Sequence, residues 1–94
     1  MEKIVKCGDL VLSKAGRDTG KIFLVVSVDN EFAYLVDGRY RKVNNPKKKK
    51  LKHLKRVSVA GLIELAIQIQ SGNPVGNERV YRAIKTAKQK IQED

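Results

Sequence analysis

The stretch Lys21-Ile22-Phe23-Leu24-Val25-Val26-Ser27-Val28 limits what this chain can become more than any other. It is rich in β-branched and aromatic residues, too short for an ordinary helix, and bounded by Gly20 and by Asp29-Asn30, so it reads as a strand buried on both faces. A strand of that kind needs partners at its edges and cover above and below. The flanking sequence supplies the partners. Leu10-Val11-Leu12 is a short apolar run ahead of the loop Lys14-Ala15-Gly16-Arg17-Asp18-Thr19-Gly20, and Phe32 to Val36 is a third strand. Asp37-Gly38 is a two-residue hairpin signal that predicts a fourth strand over Arg39 to Val43. Asn44-Asn45-Pro46 breaks the meander, Lys47 to Lys50 follows as a loop, and Leu51 to Val57 supplies a last strand. Five short strands in about fifty residues suit a compact antiparallel barrel rather than a sandwich.

After residue 57 the period changes. From Asn77, a good N-cap, Val80, Ile84, Ala87 and Ile91 recur at helical spacing with Arg79, Arg82 and Lys85 facing away, which predicts an amphipathic helix with a buried stripe. Residues 58–71 are ambiguous. Ile63, Leu65, Ile67 and Ile69 alternate with Glu64, Ala66, Gln68 and Gln70 as in a strand, whereas length, a Ser58 cap and the Ser71-Gly72 stop favour a buried helix of about twelve residues. The helix is the expectation adopted. At 94 residues the chain is expected to be one domain, with a barrel over 1–57 and a helical extension over 58–94 packed on it.

Charge is distributed as unevenly as hydropathy. Residues 39–56 hold ten basic side chains and no acidic one, while residues 1–38 have five basic and six acidic and residues 57–94 five and four. The formal net charge of +10 therefore resides in one stretch, which points to a polyanionic partner, nucleic acid first. A membrane surface fits less well, because these bases follow a proline and carry too little apolar content for an amphipathic helix. No apolar run approaches the roughly 18 residues of a membrane span, and the charged N-terminus lacks a signal-peptide core, so a cytoplasmic location is expected. Cys7 and His53 are each the only residue of their type, which excludes an internal disulfide and any cysteine-based zinc site. No phosphate-binding loop, nucleophile motif or ligand cluster is present, so neither catalysis nor a metal or cofactor is expected. Asp9 and Asp18 read as strand-start and turn carboxylates rather than an acid/base pair. Cys7 reads as a small apolar filler, although Lys6 nearby would favour a reactive thiolate.

The segment from Gly8-Asp9 through Leu10-Val11-Leu12 and the Gly16-containing basic loop to Gly20-Lys21 and Val25-Val26 resembles a KOW motif. Together with Asp37-Gly38-Arg39-Tyr40-Arg41-Lys42, Asn45-Pro46-Lys47-Lys48-Lys49-Lys50 and Lys52-His53-Leu54, it is similar to the fourteen-e class of large-subunit ribosomal proteins and its small bacterial relatives, over about residues 4 to 56. The resemblance implies an SH3-like barrel that binds RNA, usually ribosomal RNA, without catalysis. The C-terminal part resembles that group only loosely, and related motifs occur in NusG-type transcription factors.

The residue chemistry leads the same way. Lysines suit phosphates as flexible point charges, and arginines bind phosphate bidentately or stack on a base. The expected RNA-binding residues are Lys14, Arg17 and Lys21 of the first loop, then Arg39, Tyr40, Arg41, Lys42, Lys47, Lys48, Lys49, Lys50 and Lys52. Tyr40 offers a stacking face for an unpaired base, against the more ordinary alternative that it packs on the barrel. His53 reads as a rim residue of the last strand, against the alternative that it contacts phosphate or stacks on a base. The rival function is a protein-interaction adaptor of the transcription or translation machinery, in which the barrel and the apolar segment Leu62 to Ile69 dock on another protein, with the C-terminal helices as a further partner surface.

Overall fold

The computed structural model describes residues 4–58 and 62–92. Five strands, β1 (Leu10–Ser13), β2 (Ile22–Asp29), β3 (Phe32–Val36), β4 (Lys47–Lys50) and β5 (Leu54–Ser58), precede two helices, α1 (Ile63–Gln70) and α2 (Asn77–Gln92). The strands form one antiparallel sheet in the order β4-β3-β2-β1-β5. β2 is the longest strand and lies at the centre. Its first residues pair with β1 (Leu12 opposite Ile22) and its later ones with β3 (Asp29 opposite Phe32). Register shifts between Val25 and Ser27 and between Leu10 and Val11 act as bulges that increase the local twist and curl the sheet.

That curl gives β2 cover on both sides, as its sequence requires. On one face Val11, Phe23, Val25, Ala33, Leu35 and Leu54 pack against each other inside the curled sheet. On the other, Leu10, Leu24, Val26 and Val36 pack against Leu65 and Ala66 of α1 and Val80 and Ile84 of α2. Alternate residues of one strand thus serve two cores. Burying Val80 and Ile84 stabilises the docked α2 by about 1.5–3 kcal/mol each. Ala87 extends the stripe as a half-buried residue, and the side chain of Ile91 lies outside the described ones.

Several expectations are corrected, the first of them in the strand order. Residues 39–43 do not form the fourth strand. The Asp37 carboxylate accepts hydrogen bonds from the backbone N–H groups of Arg39 (2.9 Å) and Arg41 (2.8 Å), while the N–H groups of Asp37 and Gly38 donate to the Arg41 carbonyl. This closes a tight loop where a hairpin was expected. The Asn77 side chain fastens the loop to α2 by accepting a bond from Val43 N–H (2.7 Å), so Asn77 is the first residue of α2 and a clamp on the loop rather than a cap. The place beside β3 is taken by the lysine run, with Lys47 opposite Leu35 and Lys50 opposite Phe32.

The second correction concerns length. Residues 58–71 do contain a helix, but it spans Ile63–Gln70 and starts from Leu62, Ser58 ends β5, and residues 59–61 lie outside the described residues. Nor is that helix buried around most of its circumference, since only Leu65 and Ala66 are fully covered while Ile63 and Ile67 are exposed. The last strand likewise begins later than expected, because Leu51–His53 form a single 3-10 turn that carries the chain from β4 to β5. No described helix is long and apolar enough to cross a membrane.

Candidate nucleic-acid interface

The β1–β2 loop is built to hold its shape. Ser13 N–H donates to the Lys21 carbonyl and Gly20 N–H to the Ser13 carbonyl, at 3.0 and 2.9 Å, and Thr19 Oγ1 donates to the Gly16 carbonyl at 2.7 Å. Gly20 sits at φ +90°, the left-handed conformation that its place in the loop requires. From this base the loop runs over the sheet edge. Lys14 N–H donates to the His53 carbonyl (2.8 Å), Lys49 Nζ donates to the Ala15 carbonyl (2.6 Å), Asp18 pairs with Lys47, and Lys21 Nζ lies 3.1 Å above the ring centre of Tyr40. The two basic segments singled out in the sequence are therefore in contact along the length of the loop.

The four consecutive lysines have unlike surroundings. Lys47 and Lys49 project to the face shared with Leu35 and Ala33, where Asp18 pairs with both, at 3.6 Å from Lys49 Nζ. Lys49 is only 9% exposed. Lys48 and Lys50 project to the opposite face and are exposed, Lys48 with its ammonium 4.3 Å from the ring centre of Phe32. The run is an edge strand with two internal and two external lysines, not a loop of four equivalent ones.

Elsewhere in the basic stretch, Arg39 lies 3.8 Å over the Tyr81 ring and 3.6 Å from Glu78, which ties it to α2. Arg56 lies 3.4 Å from Asp9, a carboxylate 1% exposed that also accepts the Lys6 N–H at 2.8 Å. Four of the ten bases of residues 39–56 thus have an acidic partner. The other six, Arg41, Lys42, Lys48, Lys50, Lys52 and Lys55, have none among the described residues. Lys14, Arg17 and Lys21 also lack one among the described residues. Tyr40 is 70% exposed, which disfavours the alternative that it packs on the barrel, and Lys21 covers one face of its ring. His53 is half-buried at the end of the 3-10 turn.

Asp9 and Asp18 engage different bases and do not meet as an acid/base pair. The Cys7 thiol donates to the Val26 carbonyl at 3.3 Å, and burial followed by the Asp9 charge raises its pKa, the opposite of an activated thiolate. Among the described residues no group of three or more His, Cys, Asp or Glu could hold a metal ion.

Sequence reasoning did not single out a cleft of about 850 Å³ beside the Leu51–His53 turn. Lys14, Lys50, Lys52, Lys55 and Arg56 line it together with Glu31 and the apolar residues Leu51, Leu54, Ile4 and Val5. Lys55 and Arg56 belong to the acid-free stretch, but nothing in their spacing marks a concave wall. The signal that could have found it is the pairing of Leu51 and Leu54 with lysines on either side.

The hydrogen bond from Lys47, aided by the charges of Lys47 and Lys49, holds the Asp18 carboxyl below the usual aspartate range against the opposing effect of partial burial. A carboxylate lowered in the folded state adds stability that is complete above its unfolded value of about 3.9 and is lost as pH falls through the folded value. Asp18→Asn is therefore expected to reduce stability at neutral pH and to flatten the decline in melting temperature below about pH 4. Melting curves of the two proteins that fall in parallel with acid would show that the Asp18 cluster contributes nothing.

No family model matches the chain, and no curated protein sequence matches it.

Proposed function

We propose that this protein is a non-enzymatic RNA-binding protein, an SH3-like KOW barrel with a helical extension that acts at or near the ribosome. The observation that carries the proposal is the contact between the β1–β2 loop and the basic segment. It brings the loop that carries Lys14, Arg17 and Lys21 against His53, Lys47, Lys49 and Tyr40 of the basic segment, whose bases without an acidic partner among the described residues flank these contacts. Lysines without acidic partners are strongly hydrated and exchange counterions for phosphates, which favours sequence-tolerant, salt-sensitive binding. Lys47 and Lys49 hold the loop in place, and the gripping charges are Lys48, Lys50, Lys52, Arg41, Lys42 and the loop bases. The resemblance to KOW proteins makes ribosomal RNA the first candidate ligand.

Replacing Lys48, Lys50 and Lys52 together by alanine is expected to weaken binding across unrelated RNA sequences. The slope of log affinity against log salt should fall by about 0.7 to 0.9 for each phosphate no longer neutralised, roughly 2 to 3 in all. Filter-binding titrations at several salt concentrations measure both quantities, and an unchanged affinity and slope would refute the proposal.

The alternative function, a protein-interaction adaptor, is favoured by Ile63 and Ile67, one turn apart on α1 and 37% and 47% exposed. Sequencing RNA crosslinked to the protein in cells separates the two: ribosomal RNA supports the first, and absence of RNA the second.

A further inference from the structure

The cleft beside the Leu51–His53 turn is unlike the rest of the basic edge. A surface that only follows a phosphate backbone needs charge at intervals and no concavity. Here four exposed lysines, Lys14, Lys50, Lys52 and Lys55, surround a floor that includes half-buried Leu51 and buried Leu54. Glu31 is the only acid in the lining among the described residues. The volume of about 850 Å³ falls in the range of small-molecule sites, roughly 300–1,000 Å³. A ligand matched to this lining is anionic at its edges and apolar on a flat face.

Duplex RNA presents phosphates and sugars, with its bases stacked inside and its deep groove closed to side chains. It can engage the lysines but offers nothing to the floor. An unpaired nucleotide offers both, since its base has an apolar face and its flanking phosphates reach the rim. We infer that the cleft holds an unpaired nucleotide of single-stranded RNA, with the base against Leu51 and Leu54 and the adjoining phosphates on Lys14, Lys50, Lys52 and Lys55. This rests on the RNA-binding function proposed above and adds a ligand class to it. The floor residues named are aliphatic, so the base is held by burial of its face rather than by aromatic stacking, and discrimination among bases is expected to be weak.

The test holds phosphate number constant and varies the base. Fluorescence anisotropy is used to titrate wild-type protein and Leu51→Asn with a labelled oligouridine, an abasic strand with the same number of phosphates, and a blunt RNA duplex. Wild type is expected to bind oligouridine at least about fivefold more tightly than the abasic strand, from burial of one base face at the usual apolar coefficient. Leu51→Asn should remove that difference and leave duplex affinity within about twofold, since it alters no charge. A second measurement needs no variant: a strand carrying photoreactive thiouridine should crosslink wild-type protein within residues 50–55. Measurable binding with equal affinity for oligouridine and abasic strands, or crosslinks confined to residues 38–46, overturns the cleft assignment while RNA binding stands. Binding to none of the three nucleic acids overturns the proposed function and this inference with it.

Discussion

Gly38→Ala is expected to destabilise the protein by about 2–5 kcal/mol. Two costs combine. Gly38 has φ +82°, a left-handed conformation that costs a residue with a Cβ about 1–2 kcal/mol. A Cβ at this position would also collide with the backbone carbonyl of Asn77 and lie 2.9 Å from the Tyr81 backbone nitrogen. Both are main-chain atoms of α2, so relief requires the helix to move away from the sheet, at an overpacking cost of about 1–3 kcal/mol. Such a shift disturbs the burial of Val80 and Ile84 and the bond from Val43 N–H to Asn77. Gly20→Ala is the control. Its φ of +90° is equally unfavourable, but no atom lies within 4 Å of the added Cβ, so only the conformational cost of about 1–2 kcal/mol applies. In a domain of this size the Gly38 variant should melt roughly 10–30 °C below wild type, and the Gly20 variant roughly 5–15 °C below it. Equal losses would mean that α2 does not bear on Gly38.

The same residue shows where sequence pattern and structure part. Asp37-Gly38 carries a strong hairpin signal, yet the Asp37 carboxylate bonds two backbone N–H groups that a strand would have offered to its neighbour. Hairpin and loop use the same residue types, and the choice is made by α2, far along the chain. Lys47 to Lys50 failed to register as a strand for the converse reason. Lysine has little β-propensity, and what places the run beside β3 is an open sheet edge, a position where charged side chains are favoured. β2 and β3 were legible because their residues are apolar enough to require burial wherever the rest of the chain lies. The Val80–Ile84 stripe was legible for the same reason. α1 was legible as a helix by length and not by period, since its isoleucines alternate like a strand while two of them face solvent. At the candidate interface, the segregation of charge was visible in the sequence. The division of the lysines into internal and external pairs was not, because it depends on register against β3 and on the reach of Asp18.

Lys49→Ala is expected to cost about 4–5 kcal/mol of folding stability, and Lys48→Ala, one residue away, about 0.5–1 kcal/mol. Lys49 is 9% exposed, donates to the Ala15 carbonyl at 2.6 Å and lies 3.6 Å from Asp18. A hydrogen bond from a charged donor contributes about 1.5–3 kcal/mol, and its buried stem adds packing at about 0.8 kcal/mol per methylene. Lys49→Met retains most of the stem and should recover about 1 kcal/mol or more of the loss. Lys48→Ala removes only an exposed cation–π interaction with Phe32. The order reverses when RNA binding is measured on folded protein at low temperature. Lys48→Ala removes a charge that faces solvent and should lower the salt slope by about 0.7 to 0.9. Lys49→Met removes a charge already paired with Asp18, so its direct effect on the slope should be near zero. Urea denaturation and salt titration of the three variants therefore separate the residues that build the loop from those proposed to grip RNA. Equal behaviour of Lys48 and Lys49 in both assays would mean that the run is a uniform charged strip and that Asp18 does not organise it.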